Sequence, residues 1–192
     1  MNCQKCKQPI IIQPKHKSAG EFKCYKCGHV NKIVQTIYYD ESIMNGMSTY
    51  GVLVNPKQAQ QRYTLTSKTN IIGRSSTCNV VVDRIEHDGK CYISGRHCTI
   101  KVEFDIWKGT LRYKISDGEF LGDSNNVKPS TNGTYINDYK LQNSEVIDIP
   151  DKCIINLGGA DDFILEPYII PPSTLETYKK SIDCNTENDI TE

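Results

Sequence analysis

An all-β fold, an antiparallel β-sandwich preceded by a small metal-held module, is what this 192-residue sequence predicts. Three observations carry that expectation. Between about Thr49 and Tyr168 the apolar residues alternate, or run in short stretches parted by turn residues. No sustained helical period interrupts them. Ahead of them stand two Cys-x-x-Cys pairs, Cys3/Cys6 and Cys24/Cys27, in a lysine-rich segment.

Taken in order, the expected strands are Tyr50–Val54, Tyr63–Thr66, Asn70–Gly73, Val80–Asp83, Cys98–Phe104, Leu111–Ile115, Thr134–Ile136, Glu145–Ile149, Lys152–Leu157 and Phe163–Glu166. Thr99–Phe104 and Leu111–Ile115 show the period of two of half-buried strands. So many short strands in about 120 residues pack as two layers. Residues 34–48 read as a linker or covering arm. After Pro171-Pro172 the composition turns polar, so residues 169–192 are expected to form a mostly disordered tail. The resulting organisation is 1–33, 34–48, 49–168 and 169–192.

Composition excludes several classes. Charged residues at 24% and a hydrophobic share of 38% describe a globular chain, and no apolar run approaches the length of a bilayer span. Met1–Lys5 leads into no apolar signal-peptide core, so a cytoplasmic location is expected. The 23 basic and 23 acidic residues cancel, but unevenly. Residues 1–32 hold seven lysines against Glu21 alone, a balance of +6, which leaves −6 for the rest. Two modules with different surfaces follow.

Nine cysteines, an odd count, argue against a disulfide framework and for a reducing compartment. Two residues between thiols let a tight turn aim both sulfurs at one metal. Cys3, Cys6, Cys24 and Cys27 thus make a closed tetrahedral shell, which one structural Zn²⁺ fills with no position left for a substrate. Gly28, just after Cys27, supplies the positive-φ freedom such a turn needs. About 32 residues build no core of their own, so this module folds on its metal. The stretch Cys24-Tyr25-Lys26-Cys27-Gly28-His29-Val30, with Met1-x-Cys3-x-x-Cys6 before it, resembles the N-terminal zinc ribbons of bacterial proteins.

Three signatures fall in loops between the expected strands: Ile72-Gly73-Arg74-Ser75, then Ser94-Gly95-Arg96-His97, then Ser130-Thr131-Asn132-Gly133-Thr134-Tyr135-Ile136-Asn137. In that order they resemble the forkhead-associated (FHA) domain, a phosphothreonine-reading β-sandwich of the FHA/SMAD-like type, over residues 49–168. The residue chemistry agrees. A phosphothreonine brings about −1.5 to −2 charge and three acceptor oxygens, so its reader needs a fixed cation and donors. Arg74 offers a planar fork, Ser94 and Thr131 hydroxyls, the backbone at Gly95 N–H groups, and Asn132 both a donor and an acceptor for a peptide main chain. The resemblance assigns peptide contact to Arg74, Ser94, Thr131 and Asn132 and makes His97 the brace of the Ser94 loop, with Gly73 and Gly133 as structural support. Gly95 stands where several family members carry a side chain that reaches the phosphate; Arg96 is the candidate substitute, one residue on. Gly118–Ser130 is a polar insertion beside the site.

The function these readings imply is a non-enzymatic adaptor that docks a phosphothreonine-containing partner. No Gly-x-Ser-x-Gly, His-Glu-x-x-His or Gly-x4-Gly-Lys-Ser/Thr pattern points to catalysis. Two alternatives stand beside it: the basic ribbon as a nucleic-acid contact under control of the second module, and a scaffold that binds without phosphate. Thr186, followed at three residues by Asp189, suggests self-association through a phosphorylated tail, since the family typically reads that third residue.

Overall fold

The computed structural model describes residues 1–33, 35–120 and 127–183. Its first 33 residues fold around the four cysteines. A short helix α1 (Pro14–Ala19) leads into a hairpin of β1 (Glu21–Lys23) and β2 (Val30–Lys32). The two cysteine turns are built alike. Cys3 N–H donates to Gln8 O at 2.9 Å and Lys7 N–H to Cys3 O at 2.9 Å; Cys24 N–H donates to His29 O at 2.8 Å and Gly28 N–H to Cys24 O at 2.9 Å. The fourth residue after each leading cysteine takes positive φ, 70° at Gly28 and 59° at Lys7. The sequence reveals this for the glycine only.

The following strands form two layers. β4 (Gly51–Asn55), β5 (Gln58–Thr64), β12 (Thr134–Ile136), β13 (Tyr139–Lys140), β15 (Ile155–Leu157) and β16 (Asp161–Pro167) make a six-stranded sheet ordered β13-β12-β15-β16-β4-β5. The other sheet has β6 (Thr69–Gly73), β7 (Val80–Val81), β8 (Cys98–Asp105), β9 (Thr110–Asp117) and β14 (Ile147–Asp148), ordered β14-β9-β8-β6-β7. Every pairing in them is antiparallel except β6 with β7. β8 and β9 pair over all eight residues, Cys98 opposite Asp117 through Asp105 opposite Thr110.

The inward faces meet in one apolar cluster that includes Leu53, Leu65, Ile72, Ile100, Ile115, Ile155, Leu157 and Phe163, all fully buried. Burial of each large aliphatic side chain contributes about 1.5–3 kcal/mol. Tyr113 ties the ends of the sandwich together: its hydroxyl donates to Tyr50 O at 2.6 Å and accepts from Tyr168 N–H at 3.0 Å. Burial pushes its pKa up to about 12.

Two segments differ from expectation. Residues 34–48, read as a linker or covering arm, are more structured than a linker: they contain β3 (Gln35–Tyr39) and a 3-10 turn over Glu41–Gly46, whose Ile43 and Met44 enter the core as a covering arm would. Beyond Pro171, where disorder was expected, the chain forms helix α2 (Pro172–Thr177) and β17 (Lys179–Asp183). The reason is mutual. β17 and β3 pair antiparallel, Lys179 opposite Tyr39, and supply each other's backbone partners. Tyr39 N–H also donates to Ile106 O at 2.7 Å, and Asp40 N–H to Tyr178 O at 2.9 Å, which fastens this ribbon to the β8–β9 turn. Neither strand announces itself, because each has only the other as partner. Thr186 lies outside the described residues.

The insertion Gly118–Ser130 contains a further hairpin, β10 (Glu119–Phe120) with β11 (Val127–Lys128). It rises from the end of the molecule where β6 finishes, β8 begins, β9 finishes and β12 begins. All three sequence signatures sit at that end.

Candidate functional site

The first two signature loops are joined by backbone. Arg74 N–H donates to Ser94 O at 3.2 Å, Ser75 N–H to Gly95 O at 2.8 Å, and His97 N–H to Ile72 O at 2.7 Å. This contact requires glycine at position 73: a Cβ there would fall 2.2 Å from Gly95 O. Cys78 closes the underside, its thiol donating to Gly95 O at 3.1 Å.

His97, fully buried, joins the second loop to the third. Its Nδ1 accepts from Ser94 N–H at 2.9 Å, so Nε2 carries the proton and donates to Gly133 O at 3.1 Å. Burial holds its pKa below the ordinary 6.5, against the Gly133 carbonyl and the charges of Asp117 and Asp161. Gly133 O also receives Gly158 N–H at 2.9 Å.

Above this brace the polar side chains converge. Thr131 N–H donates to Ser94 Oγ at 3.0 Å, and the two hydroxyl oxygens lie 3.4 Å apart. Asn132 Nδ2 donates to Tyr92 O at 2.8 Å, which fixes the amide. Arg74 is half-buried; its Nε donates to Ile93 O, while its terminal nitrogens have no hydrogen-bond partner among the described residues. The result is a cation held by its stem beside two hydroxyls and an exposed Gly95 backbone, a set of donors suited to an oxyanion.

Arg96 is not in that set. Its guanidinium pairs with Glu119 and donates to Thr77 O at 3.0 Å and Thr77 Oγ1 at 2.8 Å. It staples the loop to Glu119 of the inserted hairpin and to Thr77, and is already engaged there.

Four further residues, none given a site role from the sequence, support the site. Asp117, buried at the end of β9, accepts from Ser130 N–H (3.0 Å), Ser130 Oγ (2.7 Å) and Thr134 Oγ1 (2.7 Å). Ser130 Oγ in turn accepts from Gly133 N–H at 2.8 Å, closing the third loop. Tyr92 holds Asn132, and Gly158, φ 76°, lies so close that a Cβ would come 2.5 Å from Tyr92 O. Ser130 stood within a signature; the other three carry no local signal, since their partners are distant in sequence.

The four N-terminal cysteines form a second candidate site. Their sulfurs all lie within 4.8 Å of one another, with Cys3–Cys27 at 3.6 Å and Cys6–Cys24 at 3.7 Å, and no other such group of three or more ligands occurs among the described residues. Backbone N–H groups of Cys6, then of Lys5, draw the Cys3 thiol down to about 6 against desolvation. That favours the thiolate, the form that binds metal. Buried Asn31 links the two turns, accepting from Gln4 N–H at 2.7 Å and donating to His29 O at 3.0 Å.

The FHA domain family model matches residues 70–158. No curated protein matches the chain. Similar solved structures include a chain from an analysis of phosphothreonine-dependent FHA domain interactions, at 22% identity, covering 64% of this chain and 100% of that one with TM-score 0.44. The Slr1951 protein from Synechocystis sp. is similar at 19% identity, over 62% and 98%, with TM-score 0.45. The MEK1 FHA domain in complex with the HOP1 pThr318 peptide is similar at 18%, over 63% and 99%, with TM-score 0.44.

Proposed function

We propose that the chain, whose residues 70–158 match the FHA domain family model, is a phosphothreonine-binding adaptor whose contacts come from Arg74, Ser94, Gly95, Thr131 and Asn132. The observation that carries the reading is the Arg74 guanidinium. Anchored through Nε on Ile93 O, it keeps its terminal nitrogens without a hydrogen-bond partner among the described residues, next to the paired Ser94 and Thr131. A phosphate dianion supplies what such an arrangement lacks. Asn132, oriented by Tyr92 O, is suited to the peptide main chain on either side of the phosphothreonine. Arg96 serves as a brace rather than a phosphate contact, and His97, Gly73 and Gly133 hold the loops in place.

The test is a phosphothreonine peptide library presented to wild type and Arg74→Ala. Loss of a charge-assisted contact should weaken binding by roughly ten- to a hundredfold. Equal binding by the variant would remove the reading. Phosphatase treatment of the library separates it from a phosphate-independent scaffold.

The cysteine cluster is read as a structural zinc site. Zn–S bonds of about 2.3 Å in a tetrahedron give sulfur–sulfur edges of about 3.8 Å, close to the 3.6 and 3.7 Å separations of Cys3 from Cys27 and of Cys6 from Cys24. Cys3, Cys6, Cys24 and Cys27 would hold the ion, and with four thiolates it would fold the ribbon rather than react. Metal analysis of the purified chain should give one zinc per molecule.

A second reading is favoured by the ribbon's surface. Lys5, Lys23, Lys26 and Lys32 are exposed without an ion-pair partner among the described residues, beside Tyr25 at 75% exposure. That surface suits a polyanion such as nucleic acid, and gel-shift titration at low salt tests it. Self-association through phosphorylated Thr186 is tested by titrating a phosphorylated 181–192 peptide into the full chain.

A further inference from the structure

Between β7 and the Ser94 loop the chain makes a long excursion, and its tip is stiff. His87 N–H donates to Lys90 O at 2.8 Å and Lys90 N–H to His87 O at 3.0 Å, with φ of 51° at Asp88 and 74° at Gly89. This is the hairpin turn whose twist matches its flanking strands. Its base is pinned to β5, where Tyr63 hydroxyl donates to Asp83 Oδ2 at 2.9 Å.

The tip carries His87 to the start of β16. His87 Nε2 lies 2.8 Å from Asp161 Oδ1, and the Asp161 side chain is 3% exposed. Asp161 Oδ2 is buried with no hydrogen-bond partner among the described residues. A buried carboxylate with an unpaired oxygen is costly, so the histidine contact is the compensation that lets Asp161 stay inside. The same imidazole sits 6.1 Å, centroid to centroid, from the ring of Tyr92. Tyr92 O in turn receives the Asn132 amide at 2.8 Å, and Gly158 closes in from below. The path from Asp161 to Asn132 therefore has three links: a hydrogen bond, a ring contact and a second hydrogen bond.

We propose that His87 and Asp161 are positioning residues for the peptide site: they fix the Tyr92 backbone and, through it, the orientation of Asn132. The proposal rests on the phosphopeptide reading above. Neither residue belongs to a signature loop. Their role is to make the amide of Asn132 rigid before a peptide arrives, so that ligand binding need not order it.

The experiment is a double-mutant cycle on the full chain, read by calorimetric titration of the phosphothreonine peptide that the wild-type library screen selects. Asn132→Ala should lose about tenfold or more in affinity, and His87→Ala about three- to tenfold. His87→Gln, whose amide still donates to Asp161, should bind within about twofold of wild type. The double variant His87→Ala/Asn132→Ala should be no weaker than Asn132→Ala alone, since His87 acts only through the amide that is gone. The Asn132 side-chain amide resonance should move in His87→Ala and stay in His87→Gln, a change that a role in stability alone does not produce. Wild-type affinity in His87→Ala, or a loss that adds in full to that of Asn132→Ala, overturns the proposal. Wild-type affinity in Asn132→Ala overturns the peptide-site reading instead, and the positioning role falls with it.

Discussion

His97 holds two loops with one ring, and only the neutral imidazole does it. Protonation would turn Nδ1 into a donor facing the Ser94 N–H that now approaches it at 2.9 Å. The ring is fully buried, and burial sets its folded pKa below 6.5, the ordinary value. The sign follows from proton counting. Below the ordinary value the unfolded chain takes up a proton that the folded chain refuses, so stability is complete above it and drains away as pH falls toward the lowered folded value. The slope is at most about 1.4 kcal/mol per pH unit for one group. Thermal melts from about pH 7.5 down to about pH 5 should show this decline in the wild type. His97→Asn should start less stable and lack that part of the slope. A variant with the wild-type slope would assign it to other groups.

At the scale of elements, what the sequence revealed depended on whether a strand had a buried face. β8 and β9 alternate because one face of each is core, and the period of two found them with nearly correct ends. β5 begins at Gln58 in Gln-Ala-Gln-Gln-Arg, an exposed edge strand with no alternation to read. The two-residue β11 and β13 bury too little to leave a pattern. β3 and β17 needed each other, 140 residues apart in register between Tyr39 and Lys179. The site divides similarly. Arg74, Ser94, Thr131, Asn132 and His97 stand in local signatures, while Asp117, Tyr92, Gly158, His87 and Asp161 act through partners only folding brings near. The C-terminal arm makes an element-scale prediction. Leu175 and Tyr178 pack on the core, and Leu175 lies against the β8–β9 turn at Gly109. Ending the chain after Pro171 should cost on the order of 2–4 kcal/mol of stability, seen as an earlier denaturant midpoint. Phosphopeptide affinity should be unchanged, because the site lies at the opposite end of β8. A truncated chain with the full midpoint would show that the arm only rests on the sandwich.

The whole molecule is electrically neutral only in sum, and its two charges belong to parts that hold together differently. Among the described residues, the apolar cluster of the sandwich begins at Ile43 and takes none from the first 33. In that N-terminal segment the buried hydrophobics among the described residues are Cys3, Phe22 and Cys24, around strands of three residues each. So little buried surface does not offset the entropy of ordering about 30 residues. On the zinc-site reading, metal binding would therefore supply the ribbon's folding energy, and the sandwich would not depend on it. Removing zinc with a strong chelator, or replacing Cys24 with serine, should unfold the ribbon while leaving the sandwich's thermal transition in place. Amide exchange should show protection lost over Cys3–Lys32 and kept over β8 and β9. Phosphothreonine peptide affinity should stay within about twofold, because every proposed contact is braced by residues of the sandwich. Salt dependence should split along the same line. Peptide binding, carried by local donors on a body of net negative charge, should weaken only modestly with salt, whereas any polyanion held by the ribbon's lysines should be released steeply. Loss of peptide affinity on chelation would instead join the two parts into one working unit, with the ribbon acting on the peptide site.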